Sequence, residues 1–143
     1  MDGEQIKRLL RNTRQFDGVF SSDTLPASPR LLVCNLDPSH RKGTHWIWIY
    51  VDENGTGEYF DSLGRAADKS LERYMNAVCS SWTFNSRQLQ SILSAFCGHY
   101  CALKSRGLTI NNIVASFTND TAFNTHLLVE NRKLKFELKY LCT

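Results

Sequence analysis

Long hydrophobic runs are missing from this chain, and so is any large excess of charge. No stretch approaches the roughly twenty apolar residues that a membrane-spanning helix needs. The formal net charge is only +3 over 143 residues, with a pI near 8.6. A nucleic-acid surface needs a clustered basic face. Positive charge gathers only at Arg132, Lys133, Lys135 and Lys139, which read as the solvated face of a last element. The opening MDGEQIKRLLRNTR is polar and lacks the apolar centre of a secretion signal. A second CxxC pair is also missing. The cysteines number five, an odd count: Cys34, Cys79, Cys97, Cys101 and Cys142. Without secretion, a disulfide framework is not expected, and an intracellular, reducing setting is. The sequons at Asn54 and Asn119 then mark exposed turns and nothing more. No repeat, low-complexity tract or linker breaks the sequence.

Hydrophobic residues make up 42% of the chain, enough for the core of one domain spanning residues 1–143. Residues 4–12 read as a short helix with Ile6, Leu9 and Leu10 on one side. FDGVFSSDTLP follows, with turn residues and a proline stop. Residues 31–36 read as a buried strand. HWIWIYV, residues 45–51, is the strongest strand by β-branched and aromatic content. DENGTG is a hairpin turn and EYFDSLG its return. An amphipathic helix is expected over 67–79 and a short strand at SWTFNS. Further helices are expected over 97–106 (stopped by Gly107), 109–117 and 121–131. LKFELKYL alternates like a strand. Helices around a small antiparallel sheet indicate an α+β fold.

SAFCGHYCALKSRG, residues 94–107, holds the densest chemistry. Cys97, His99 and Cys101 are separated by single residues, not by the spacing of a zinc knuckle. Three ligands on one helical turn would point in different directions, so no metal is expected. Two cysteines packed in a core is the bland alternative. Position adds to that. Cys97 falls at the first turn of the expected helix, where partial positive charge and backbone N–H groups favour thiolate. Gly98 puts no side chain over the neighbouring backbone. A thiolate nucleophile also needs a base.

His40 and His126 read as solvated, and His99 points away from Cys97 on the same helix. His45 opens the most apolar strand, where a cleft-facing imidazole would be held fixed. Asp61, among apolar neighbours in the return strand, needs a partner. A three-residue loop Glu53-Asn54-Gly55 with a left-handed Gly55 would pair Asp52 with Thr56, and so Ile47 with Asp61. His45 and Asp61 would then share a face, within reach of each other. A two-residue loop would place them on opposite faces.

THW at 44–46, YFDSLG at 59–64 and Gln90-x6-Cys97-Gly98, in that order, resemble the adenovirus-type cysteine proteases. Those share a clan with the SUMO-deconjugating proteases. The nearest look is to proteases of Maverick/Polinton transposons and related viruses, in which a segment like FDGVFSSDTLP also precedes the histidine. The resemblance covers roughly residues 16–105 and implies a papain-like fold of the adenain/SUMO-protease type. It implies Cys97 as nucleophile, His45 as general base and acid, Asp61 as the group orienting the imidazole, and Gln90 as oxyanion donor. Gln88 is the confounder for that last role. It implies Trp46 and Gly98 in the substrate cleft, with Asp23 near substrate in no assigned role. It leaves Cys79 open as the attachment point of an activating peptide or as a core cysteine. The expected partners are polypeptide substrates (structural precursors cut after glycine-containing motifs) and at most an activating peptide. The chain would act as a monomer, without cofactor, nucleic acid or membrane. A ubiquitin-like deconjugase and an inactive protease-derived binding module stay as alternatives.

Overall fold

Residues 1–130 are described by a computed structural model. The expected strand LKFELKYL, the basic residues from Arg132 to Lys139 and Cys142 lie outside the described residues. α1 (Gly3–Leu10) starts at Asp2, whose carboxylate accepts the Gln5 N–H while Gln5 caps back in a capping box. It buries Ile6 and Leu10. α2 (Lys69–Val78) is capped by Asp68 and buries Leu71 and Met75, four residues apart on one helix face. Each cap adds roughly 1 kcal/mol to its helix.

The sheet has five strands in sequence order: β1 (Phe16–Ser21), β2 (Leu31–Asn35), β3 (Trp46–Val51), β4 (Thr56–Phe60) and β5 (Ser81–Phe84). The three central strands are antiparallel, as expected. Both edge pairs, β1 with β2 and β4 with β5, are parallel. The sheet is therefore mixed rather than wholly antiparallel. FDGVFS, expected as a turn, is the edge strand β1. Edge strands need only one row of ladder bonds, so Asp17 and Gly18 are tolerated there.

Alternation along β3 sorts the core. Trp46, Trp48 and Tyr50 face one side, with α1 and the three helices that follow the sheet: α3 (Cys97–Lys104), α4 (Ile110–Ala115) and α5 (Thr121–Glu130). Ile47, Ile49 and Val51 face the other, with Leu71, Met75 and Cys79 from the α2 region. α3 is buried nearly all round and packs on β3. Its last residue, Lys104, is buried too. The Lys104 ammonium bonds Glu58 at 2.9 Å and the Leu108 carbonyl at 2.6 Å, and lies 3.9 Å from the centre of the Trp48 ring. A buried cation so partnered is tolerated; one without partners would not be. The helix ends at Ser105 rather than at Gly107, whose φ of +84° turns the chain after it. Among the described residues, no helix is long and apolar enough to cross a membrane.

Candidate active site

The central hairpin places the first two groups. Gly55 has φ +77°, its N–H donates to the Asp52 carbonyl, and Asp52 pairs with Thr56 through a 2.9 Å bond. This is the three-residue loop expected from the sequence. The ladder continues through Val51 with Gly57 to Trp48 with Phe60, and one further step sets Ile47 opposite Asp61. His45 and Asp61 sit just outside the two strand ends. There the His45 Nε2 donates to Asp61 Oδ1 at 2.6 Å, with side chains 13% and 2% exposed.

Asp61 is fixed by more than the histidine. The Leu63 N–H donates to the same Oδ1 at 2.8 Å. Asn85, just past β5, accepts the Asp61 backbone N–H at 3.0 Å and donates its own amide to the Asp61 carbonyl at 2.6 Å. Sequence reasoning missed Asn85. It acts because β5 pairs parallel to β4 and so ends beside Asp61, a contact no local pattern reveals.

The acid's turn is joined to the glutamine's loop. Gly64 has φ +68°, and a Cβ there would lie 2.6 Å from the Arg87 carbonyl carbon and the Gln88 nitrogen. Only glycine lets the two backbones meet. The Ser62 carbonyl accepts both the Leu89 and the Gln90 N–H at 2.9 Å. The Ser62 hydroxyl donates to Gln90 Oε1 at 2.5 Å, and Gln90 Nε2 donates to the Ser94 carbonyl at 2.8 Å. An amide NH2 carries two hydrogens, and Ser94 uses one. The Leu89 carbonyl is held by the Tyr100 hydroxyl at 3.2 Å and by Asn124 at 3.0 Å. Gln90 is thus tied to the helix that carries Cys97. Gln88 is exposed and spends its amide on the Gln90 carbonyl. Ser62, Tyr100 and Asn124 were also not foreseen. A serine directly after the acid carries no signal of its own.

Cys97 is the first residue of α3, and no side chain caps that end of the helix. Burial pushes its thiol up, but the bond and charge of His45, with the Trp46 and Gly98 backbone, outweigh it and hold the thiol below its ordinary value. For His45, burial works downward, and the bonds and charges of Asp61 and Cys97 outweigh it, raising the imidazole to about 9. Its Nε2 is engaged with Asp61, so Nδ1 is the ring atom left to face the thiol. The other cysteines differ. Burial pushes Cys34 up to about 12 and raises Cys101 far above its usual range. Cys79 caps α2 in the second core, its sulfur 2.4 Å from where a Gly57 side chain would begin. Burial raises that thiol also.

The remaining candidates fall as follows. Trp46 stands next to His45, and its indole N–H donates to the Met1 carbonyl at 3.1 Å. The space beside Gly98 is filled by Met1 and Ile6, 3.2 Å and 3.3 Å from a notional Cβ. The glycine therefore lets α1 pack on α3; its bare side does not open toward a cleft. Asp23 accepts the Ser39 N–H and hydroxyl, at 2.8 Å and 2.7 Å, and so holds the 37–44 loop. His99 packs on Phe96, and burial lowers it to about 4. Among the described residues, no cluster of His, Cys, Asp and Glu has the makings of a metal site.

No protein-family profile matches this chain, and no curated protein matches it in sequence. Solved structures do match in shape. The ASFV pS273R protease superposes with a TM-score of 0.57 at 17% identity, over 87% of this chain and 64% of that one. This chain thus spans a little under two thirds of that enzyme's length. The central domain of the Lpg1148 protein of Legionella pneumophila gives a TM-score of 0.55 at 12% identity, over 97% and 98%. The SUMO protease Ulp1 is a weaker likeness, with a TM-score of 0.44 at 15% identity, over 95% and 76%. At these identities the likeness speaks for the fold alone, an α+β fold shared with the ASFV pS273R protease and the Lpg1148 central domain.

Proposed function

We propose that this protein is a cysteine endopeptidase whose nucleophile is Cys97. One observation carries the reading: the His45 imidazole is hydrogen-bonded at 2.6 Å to the buried Asp61, and in that arrangement Asp61 and Cys97 raise the imidazole while the imidazole lowers the Cys97 thiol. A thiolate beside an imidazolium is a ready nucleophile at neutral pH. It attacks the scissile carbonyl, and the oxyanion is received by the Cys97 N–H and the second hydrogen of Gln90 Nε2. The imidazolium gives its proton to the leaving amine. A water, deprotonated by the neutral imidazole, then cleaves the thioester and frees the thiol. Asp61 keeps the ring oriented and charged without taking the proton itself.

The resemblance to adenovirus-type enzymes extends this reading to structural precursor proteins of a virus or transposable element, cut after small, glycine-containing motifs. Trp46 beside the base suits such a narrow wall. The free cysteines among the described residues suit an intracellular setting. An activating peptide linked through Cys79 would have to draw that sulfur out of the second core.

Cleavage of a peptide library by the wild type beside Cys97→Ala tests the reading. Turnover by the wild type alone supports it, and cutting by the variant refutes it. A ubiquitin-like probe with a C-terminal electrophile, run in parallel, separates a deconjugase from an endopeptidase.

A further inference from the structure

The segment leading into α1 touches both halves of the proposed site. The Met1 carbonyl accepts the indole N–H of Trp46, the residue after the base, at 3.1 Å. The Met1 side chain lies against Gly98, the residue after the nucleophile. Its Cβ and Sδ are 3.2 Å and 3.5 Å from a notional Cβ there. One residue thus joins the start of β3 to the start of α3.

Gly3 meets the same indole. A Cβ on Gly3 would lie 3.3 Å from Trp46 Cη2 and 3.8 Å from Cζ2. Trp46 is therefore held at its N–H by Met1 and at its six-membered ring by Gly3. The segment is itself fixed. Asp2 and Gln5 exchange two bonds of 2.8 Å, and Ile6 is fully buried. Trp46 is half-buried and borders an open concavity, which Met1–Gly3 line together with Arg41, Lys42 and Gly43.

Nothing in the backbone at Gly3 calls for glycine. The residue lies in the first turn of α1, and its φ is not in the left-handed region. Alanine is the better helix former. What glycine supplies is room. An added Cβ at 3.3 Å is tighter than ordinary van der Waals contact, so the indole would have to give by a few tenths of an ångström. A local preference set aside where the chain packs on a wall of the proposed cleft points to function.

We propose that Met1–Gly3 is a positioning segment for the substrate cleft: it clamps the Trp46 indole and so sets the width of the cleft beside the base. The inference rests on the peptidase reading, in which Trp46 walls the cleft. With the indole fixed in advance, a substrate side chain passing it meets a rigid wall. Gly3 decides how far that wall stands back.

Gly3→Ala, made alone and together with Trp46→Phe, tests it. The substrates are matched peptides carrying Gly or Ala at each position flanking the cut. At one position, the preference for Gly over Ala in kcat/KM should rise by about three- to tenfold in Gly3→Ala. The denaturant midpoint of that variant should equal or exceed that of the wild type, since alanine favours the helix. In the Trp46→Phe background the added methyl meets no indole, so Gly3→Ala should change the preference by less than about twofold. Each preference is a ratio within one variant, so a change in folded fraction cancels. An unchanged preference in Gly3→Ala, or the same change in both backgrounds, overturns the clamp and leaves the peptidase standing. A wild type that cuts no peptide overturns both.

Discussion

His45 and Asp61 are separated by sixteen residues of chain and by 2.6 Å in space, on the two stems of one hairpin. Their meeting follows from the loop between β3 and β4. A loop one residue shorter would turn one of them to the far side of the sheet. The proposed acid–base pair is therefore set by a single hairpin, and α3 carries the proposed nucleophile.

The coupling of His45 and Cys97 predicts a bell-shaped pH profile of kcat/KM. The acid limb reports protonation of Cys97 and lies below the usual thiol range. The alkaline limb reports loss of the His45 proton near pH 9. Asp61→Asn removes the carboxylate that favours the imidazolium, so its alkaline limb moves down. The same shift has a stability side. Its contribution is full below the unfolded imidazole value of about 6.5, and is lost as pH rises through about 9.

Gln90→Ala should lower kcat by about 10²–10³, as for loss of a single oxyanion donor. Ser62→Ala should cost about two- to tenfold in kcat, the worth of one net hydrogen bond. It frees Gln90 Oε1 from its 2.5 Å partner but leaves the amide bonded to Ser94. Steady-state kinetics on a cleaved peptide checks both. An effect on KM alone would point to substrate binding instead.

Gly64→Ala should destabilise the fold by about 1–3 kcal/mol or more, since φ is +68° and the Cβ would meet the Arg87–Gln88 backbone. The denaturant midpoint measures this. Activity measured well below that midpoint should fall as well, because the same contact positions Gln90.

Much of the site is legible in the sequence because its signals are local. Asn54-Gly55 between alternating strands fixes the hairpin loop, and with it the His45–Asp61 pair. Cys97 opens a buried segment that ends in a lysine, and a helix start there needs no distant information. What escaped reading depends on pairing across the chain. β1 looks like a turn because its partner β2 lies beyond a long connection, and the parallel ladder between them has no period of its own. Asn85 and Ser62 are ordinary polar residues until β5 and the Gln90 loop come to rest on the Asp61 turn. In the sequence Gly98 suggests an opening for substrate, but Met1 and Ile6 fill the space on its bare side. Only the packing of α1 on α3 reveals that.

The most direct test of the account is peptide mapping after exposure to a peptide with a C-terminal electrophile at neutral pH. One adduct per chain is expected, on Cys97, formed slower by about 10²-fold or more in His45→Ala. Adducts on Cys34, Cys79 or Cys101 in preference to Cys97, or an undiminished rate without the imidazole, would contradict it.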